Sequence, residues 1–283
     1  MPNVTTVDDI MIRDVAFATL PGSRDEVLDI LKKKHVSGVP VVKNGDLVGI
    51  VTRTDLLKNP EEEQLAILMK RDPITITAEK SIVQASRIIT ESGVRRLPVV
   101  EGNTLVGLIT IADIIGAIAG FNIPDPIGDF IDGKVIVVWE NTPVSVMGMI
   151  LEMAEVKAAP IVNESREILG VVCDKDLINM SIIEDSVEHS DMSAGSDDDA
   201  WTWESMRDTM SLYYSVSRIK LPDCSVKDAV KLKGEPISVV PSNSISETAR
   251  KMKRNNIDQM PVISANNKLK GMVHDFDLLK ALI

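Results

Sequence analysis

The chain writes one pattern four times: a Pro inside an apolar run, a Gly nine or ten residues on, and an Asp six beyond that. The copies read HVSGVPVVKNGDLVGIVTRTDLL from His35, GVRRLPVVEGNTLVGLITIADII from Gly93, EVKAAPIVNESREILGVVCDKDLI from Glu155 and NIDQMPVISANNKLKGMVHDFDLL from Asn256. Pro40, Pro98, Pro160 and Pro261 align, as do Gly49, Gly107, Gly170 and Gly271, and Asp55, Asp113, Asp176 and Asp277. A recurrence of this length dictates a repeat architecture of four small, closely packed units.

Each copy extends backwards through helical spacing. Val27, Ile30 and Leu31 follow it, as do Ile82, Ala85 and Ile89, then Val144, Met147, Ile150 and Leu151, then Ile245, Ala249 and Met252. Ser244 with Glu247 three residues later predicts a capping box. The Pro-containing run, a polar turn and the run through Gly predict a hairpin, and a second helix follows. The unit is therefore strand, helix, strand, strand, helix, in an α/β (α+β) fold. A unit of about 55 residues cannot bury the apolar faces of both its helices and its sheet, so neighbours are expected to pair sheet against sheet into two modules. The expected boundaries are 1–60, 66–122, 123–183 and 226–283, with an insertion at 184–225 between the third and fourth copies.

The insertion begins with Glu184 to Asp199, which holds seven acidic residues and no Lys or Arg. It reads as a solvated loop, with a docking tail for a basic partner as the alternative. Trp201, Trp203, Tyr213 and Tyr214, four of the chain's nine aromatics, follow. They predict a local helical core, with an exposed docking patch as the alternative.

A net charge of −11 argues against nucleic acid as the main partner, because a phosphate backbone asks for a concentrated basic surface. Cys173 and Cys224 are too few for a disulfide framework, which points to a reducing cytoplasm. No secretory leader is visible, and the most apolar stretch, Leu105 to Gly120, is short and interrupted by Asp113, so no membrane partner is expected. His35, His189 and His274 lack ligand spacing, so no metal is expected. There is no P-loop, dinucleotide fingerprint or nucleophile motif, and hence no visible machinery for an enzyme.

Over nearly all of its length outside the insertion, the repeat resembles the cystathionine beta-synthase (CBS) domain. That resemblance implies pairing of copies into Bateman modules whose clefts commonly bind adenosine-containing ligands. Four copies with no attached enzyme or channel are similar in layout to the gamma subunit of AMP-activated protein kinase, which implies a stand-alone regulator. The family's ribose signature is Gly, apolar, any residue, Thr or Ser, two residues, Asp. Asp accepts from ribose hydroxyls, the hydroxyl donates to phosphate, and Gly allows close backbone approach.

Copy one keeps the signature as GIVTRTD, with Thr52 and Asp55, and copy two as GLITIAD, with Thr110 and Asp113. Copy three places Cys173 in the hydroxyl position and copy four places His274 there. Ribose contact is the expectation for Asp55 and Asp113, against capping of the following helix, and capping is the expectation for Asp176 and Asp277. Ahead of Pro98, Val94-Arg95-Arg96 is similar to the stretch with which the kinase subunit grips phosphate. Adjacent strand residues point to opposite faces, so the two arginines are placed to serve two clefts. Val36 and Ser37 stand at the same place in copy one, where family members flank adenine and contact the nucleotide. His35 is a weaker phosphate candidate.

The resemblance implies a sensor of AMP, ADP or ATP bound between copies one and two and acting on an unnamed regulated protein. Its rivals are an S-adenosylmethionine or methylthioadenosine binder and a ligand-free interaction scaffold. Closure of two modules into a disc within one chain and closure between two copies as a homodimer both remain open.

Overall fold

The computed structural model describes residues 5–34, 36–59, 62–131, 134–154, 156, 158–173, 176, 182–190, 212–220, 222–229 and 236–283. Copy one runs α1 (Val7–Ile10), β1 (Ala18–Thr19), α2 (Arg24–Lys33), β2 (Gly38–Lys43), β3 (Asp46–Thr52) and α3 (Arg53–Lys58). Copy two repeats the order as α4 (Leu65–Leu68), β4 (Lys70–Arg71), α5 (Ile82–Ser92), β5 (Arg96–Glu101), β6 (Thr104–Thr110) and α6 (Ile111–Gly120). Copy three supplies β7 (Val138–Trp139), α7 (Val144–Met153), β8 (Ala158–Val162) and β9 (Ile168–Cys173). After β10 (Ile182–Ser190) and β11 (Leu212–Lys220), copy four gives α8 (Val226–Ala229), α9 (Ile245–Asn255), β12 (Gln259–Ile263), β13 (Leu269–His274) and α10 (Asp275–Lys280).

The helices form where the apolar spacing predicts them, because their inward residues find a sheet to cover. Val27 and Leu31 of α2, Ile82, Ala85 and Ile89 of α5, Val144, Met147 and Leu151 of α7, and Ile245, Ala249 and Met252 of α9 are all buried. The predicted box at Ser244 is present: Ser244 Oγ accepts from Glu247 N and Glu247 Oε2 accepts from Ser244 N, both at 3.2 Å. The four hairpins share one irregularity. Each slips register just after the residue that faces the signature Gly, at Val41/Val42, Val99/Val100, Ile161/Val162 and Val262/Ile263. This bulge adds one residue between Pro and Gly in every copy, and turn length accounts for the difference between nine and ten.

The chain forms two compact units, one of Met1–Val135 with Ile237–Ile283 and one of Ile136–Pro236. In the first unit β1, β2, β3, β6 and β5 lie in that order in one sheet, with β4 also on β3. The hairpins of copies one and two join at Asp46 and Thr104, where Leu47 N donates to Asn103 O at 2.8 Å. In the same unit the helices of copies two and four pack together. Ile111, Ile114, Ile115 and Ile118 share a core with Ile245, Ala249, Met252, Leu278 and Leu279, and Ser246 Oγ donates to Ile118 O at 3.0 Å. The second unit holds the three-stranded sheet β7-β8-β9 over Val144, Met147 and Leu151, and the β10–β11 ribbon.

A short apolar lead turn ahead of each copy seats on a different copy. Val7 and Met11 lie in the core of copy two, where Val7 N donates to Lys80 O at 2.8 Å and Ile12 pairs with Leu108. Leu65, Leu68 and Met69 fill the core of copy one, with Lys70 paired to Ile50. Ile127 N donates to Asn243 O of copy four at 2.8 Å, and Val226 N to Thr142 O of copy three at 2.8 Å. The close approach at Gly49 and Gly107 is made by these turns. A Cβ on Gly49 would lie 2.7 Å from Met69 Sδ and 2.9 Å from Lys70 O, and one on Gly107 2.5 Å from Met11 Sδ.

The insertion differs from its reading. Residues Glu184 to Ser190, expected in a solvated loop, lie in β10, and Leu212 to Tyr214, expected in a helical core, lie in β11. The two pair antiparallel with Ile183 opposite Ile219 and His189 opposite Tyr213. The runs are rich in Ile, Val and Tyr, which favour strand over helix once a partner run is available. Trp201 and Trp203 lie outside the described residues, as does the acidic run from Asp191 to Asp199.

Candidate functional site

The signature Asp plays one structural role in all four copies. In copies one, two and four it is the third residue of the second helix, and in every copy its carboxylate turns back to the residue three before it. Asp55 Oδ2 accepts from Thr52 N at 2.9 Å and Thr52 Oγ1 at 2.5 Å. Asp113 Oδ2 accepts from Thr110 N at 2.8 Å and Thr110 Oγ1 at 2.6 Å. Asp176 Oδ2 does the same with Cys173 N at 2.8 Å and Cys173 Sγ at 3.0 Å, so a thiol suffices. In copy four His274 N donates to Asp277 Oδ2 at 2.9 Å and Lys280 Nζ to Asp277 Oδ1 at 2.7 Å. Capping is thus present at Asp55 and Asp113 as well as at Asp176 and Asp277. It uses one oxygen, which leaves the other for further contacts.

Asp55 is buried, and its second oxygen lies 3.4 Å from Lys70 Nζ. Burial works against the charge of Asp277, but the hydrogen bonds from His274 and Lys280 outweigh it and hold the carboxyl below its ordinary value. Both Asp277 oxygens are engaged by the chain itself.

The two arginines diverge as strand alternation requires. Arg96 reaches from β5 into copy one, where Nη1 donates to Gly38 O at 2.6 Å and Nη2 to Ser37 Oγ at 2.5 Å. Gly38 makes the room: a Cβ there would lie 2.7 Å from Arg96 Nη1. Burial pushes the Arg96 guanidinium below its ordinary value, and Arg95 and Arg53 add repulsion. Such a half-buried cation gains from any anion that approaches it.

Arg95 turns the other way, to copy four, where it forms a fork with Asp275, lies 3.5 Å from Asp258 and stacks 5.5 Å above the ring of Phe276. Burial raises the Asp275 carboxyl above its ordinary value despite Arg95.

One region therefore brings together Ser37, Thr52 and Asp55 from copy one with Arg96 from copy two. Arg96 pairs across its hairpin with Thr110, the residue from which Asp113 caps α6. Val36 and Val94 are half-buried at the strand entrances. Asp176 lies in the other compact unit, and His35 is outside the described residues. The hollow lined by Arg13, Phe17, Val42, Asn44 and Leu105 sits at the turn end of β2, away from these residues. Sequence reading missed Lys70, Asp275 and the lead turns. The turns had a visible signal, since Met11-Ile12-Arg13-Asp14 and Met69-Lys70-Arg71-Asp72 recur at the same 58-residue interval as Pro40 and Pro98.

Among the described residues no group of three His, Cys, Asp or Glu is placed to hold a metal ion, and no helix is long and apolar enough to cross a membrane.

The protein MJ1225 of Methanocaldococcus jannaschii is 27% identical over 191 residues, covering 61% of this chain and 68% of that one. The protein MJ1232 of the same organism is 33% identical over 123 residues, and the match spans 42% of this chain and only 41% of that protein. A conserved protein from Pyrococcus horikoshii shares the fold at a TM-score of 0.70 and 25% identity, over 99% of this chain and 100% of that one. The crystal structure of MJ1225, described as a candidate archaeal homologue of g-AMPK, gives 0.68 at 20% identity over the same shares. The CBS domain matches residues 7–62, 64–120, 127–182 and 226–283, and those four matches place the chain in the CBS domain family.

Proposed function

We propose that this chain is a regulatory protein that binds an adenine nucleotide, AMP, ADP or ATP, in the cleft of copies one and two, and signals its bound state to a partner protein in the cytoplasm. The observation that carries the reading is Arg96, a half-buried cation held by copy one's Ser37 and Gly38 with two other arginines as its nearest charges. Val36 and Val94 would flank the base. Asp55 and Asp113 would accept from ribose hydroxyls through the oxygen that capping leaves over, and Ser37, Thr52, Thr110 and Arg96 would meet phosphate. Copy four acts mainly as scaffold in this reading, because Lys280 holds Asp277 in a direct 2.7 Å hydrogen bond and Asp258 and Gln259 stand where copy two has its arginine pair. Regulation follows only if the ligand binds two conformations unequally.

One observation favours a second reading. Arg95 is committed to Asp275 and Asp258, which leaves Arg96 as the one arginine of the pair turned toward copy one. A ligand of the S-adenosylmethionine or methylthioadenosine class would need no more.

Calorimetric titration of the full chain with AMP, ATP, S-adenosylmethionine and methylthioadenosine tests both. Arg96→Ala is expected to weaken AMP by about one to two decades, the worth of a charged hydrogen bond of about 1.5–3 kcal/mol, and methylthioadenosine far less. Equal losses for the two would assign the cleft to the second class, and no binding of any of the four would leave the scaffold.

A further inference from the structure

The first two copies repeat at 58 residues, so each position around one carboxylate has a counterpart around the other. Asp55 and Asp113 are counterparts, and so are Lys70 and Ile12. The register confirms the second pair: Lys70 lies opposite Ile50 and Ile12 opposite Leu108, both antiparallel. Each comes from an exchanged lead turn and takes the same place on the strand of the other copy.

The chemistry at that place differs. The second oxygen of Asp55 is neutralised by Lys70 Nζ at 3.4 Å. The second oxygen of Asp113 has no hydrogen-bond or ion-pair partner among the described residues, and Ile12 leaves 44% of its surface in water. A neutral nucleoside asks for an apolar wall for its base and a free acceptor for its ribose. The Asp113 side offers both.

On the Asp55 side ribose hydroxyls must first displace the lysine, which leaves an ammonium without its anion. A ligand that carries phosphate returns an anion to that ammonium, and a neutral one does not.

We infer that Lys70 is a specificity-determining residue that makes the Asp55 side select phosphorylated adenosine ligands over the uncharged nucleoside, whereas Ile12 leaves the Asp113 side open to both. This rests on the adenosine-ligand reading above. Lys70 is 70% exposed, so the discrimination is modest, about fivefold at most, and weakens with salt.

Both positions face water and can be exchanged without opening a core. Full-length protein is titrated by calorimetry with adenosine and with ADP at low and moderate salt, as wild type, Lys70→Ile, Lys70→Gln and Ile12→Lys. The two Lys70 variants are expected to tighten adenosine by about two- to fivefold and to weaken ADP, and Ile12→Lys to do the reverse. An unchanged preference between adenosine and ADP in all three variants, with both ligands still bound, overturns the inference and leaves the adenosine reading standing. If the wild type binds neither ligand, the adenosine reading itself falls, and this inference falls with it.

Discussion

Asp275 and Asp277 lie two residues apart on α10, both buried, and their carboxyls move in opposite directions. Burial governs Asp275, so the folded state holds its proton more tightly than the unfolded chain, and its contribution to stability grows as the pH falls through the raised value. For Asp277 the lowered value gives stability above the ordinary carboxylate range that is lost on acidification. Removing Arg95 leaves a buried charge alone, whereas Asp275→Asn removes the charge itself. Arg95→Ala is therefore expected to cost about 1–3 kcal/mol in urea unfolding at neutral pH, with Asp275→Asn costing less than about 1 kcal/mol. The Arg95→Ala deficit should shrink as the pH is lowered and Asp275 takes up its proton. A deficit that grew instead would show that the pair is not what holds this charge. Asp55→Ala should both weaken adenosine-ligand binding and lower stability by about 0.5–2 kcal/mol, because the same carboxylate caps α3. Calorimetry beside thermal unfolding separates the two effects.

At the level of elements, the long helices and hairpins were legible because their signals are local: apolar spacing, Ser244 with Glu247, and a polar turn between the runs, which in copy one is the two-residue Asn44-Gly45 with φ of 54° and 93°. The lead turns left a signal in the recurrence of Met11 and Met69, but α1 and α4 are single turns, and nothing in that signal says which copy each will cover. The Thr-to-Asp motif was legible, but capping and ribose contact ask for the same residue types at the same spacing. The partner of Arg95 stands 180 residues away, beyond any local pattern. The glycines of the motif answer to the exchange. Gly49→Ala forces a methyl against the Lys70 carbonyl as well as the Met69 sulfur, while at Gly107 the carbonyl of Ile12 is 3.2 Å away and the flexible Met11 sulfur bears the contact. Both substitutions should destabilise by about 1–3 kcal/mol, with Gly49→Ala the more costly in chemical denaturation. The opposite order would place the strain elsewhere.

For the whole molecule, the shared core of copies two and four sets how the chain can be cut. A chain ended after residue 122 keeps both halves of the proposed cleft, yet it loses α9 and α10 and uncovers Ile114, Ile115 and Ile118 together. Each such side chain gains about 1.5–3 kcal/mol from burial, so the fragment is expected to self-associate in light scattering. A monodisperse monomer at the same concentration would show that copies one and two suffice by themselves. The exchanged turns reach further. Because α1 seats on copy two, α4 on copy one, Ile127 on copy four and α8 on copy three, no copy is a self-contained cassette. A deletion that removes one copy from the gene strands one apolar turn and bares one sheet, whereas deletion of an exchanging pair, one with two or three with four, does neither. Gain and loss in such lineages should therefore go in twos, and a descendant with an odd count should carry a borrowed turn in place of the missing one.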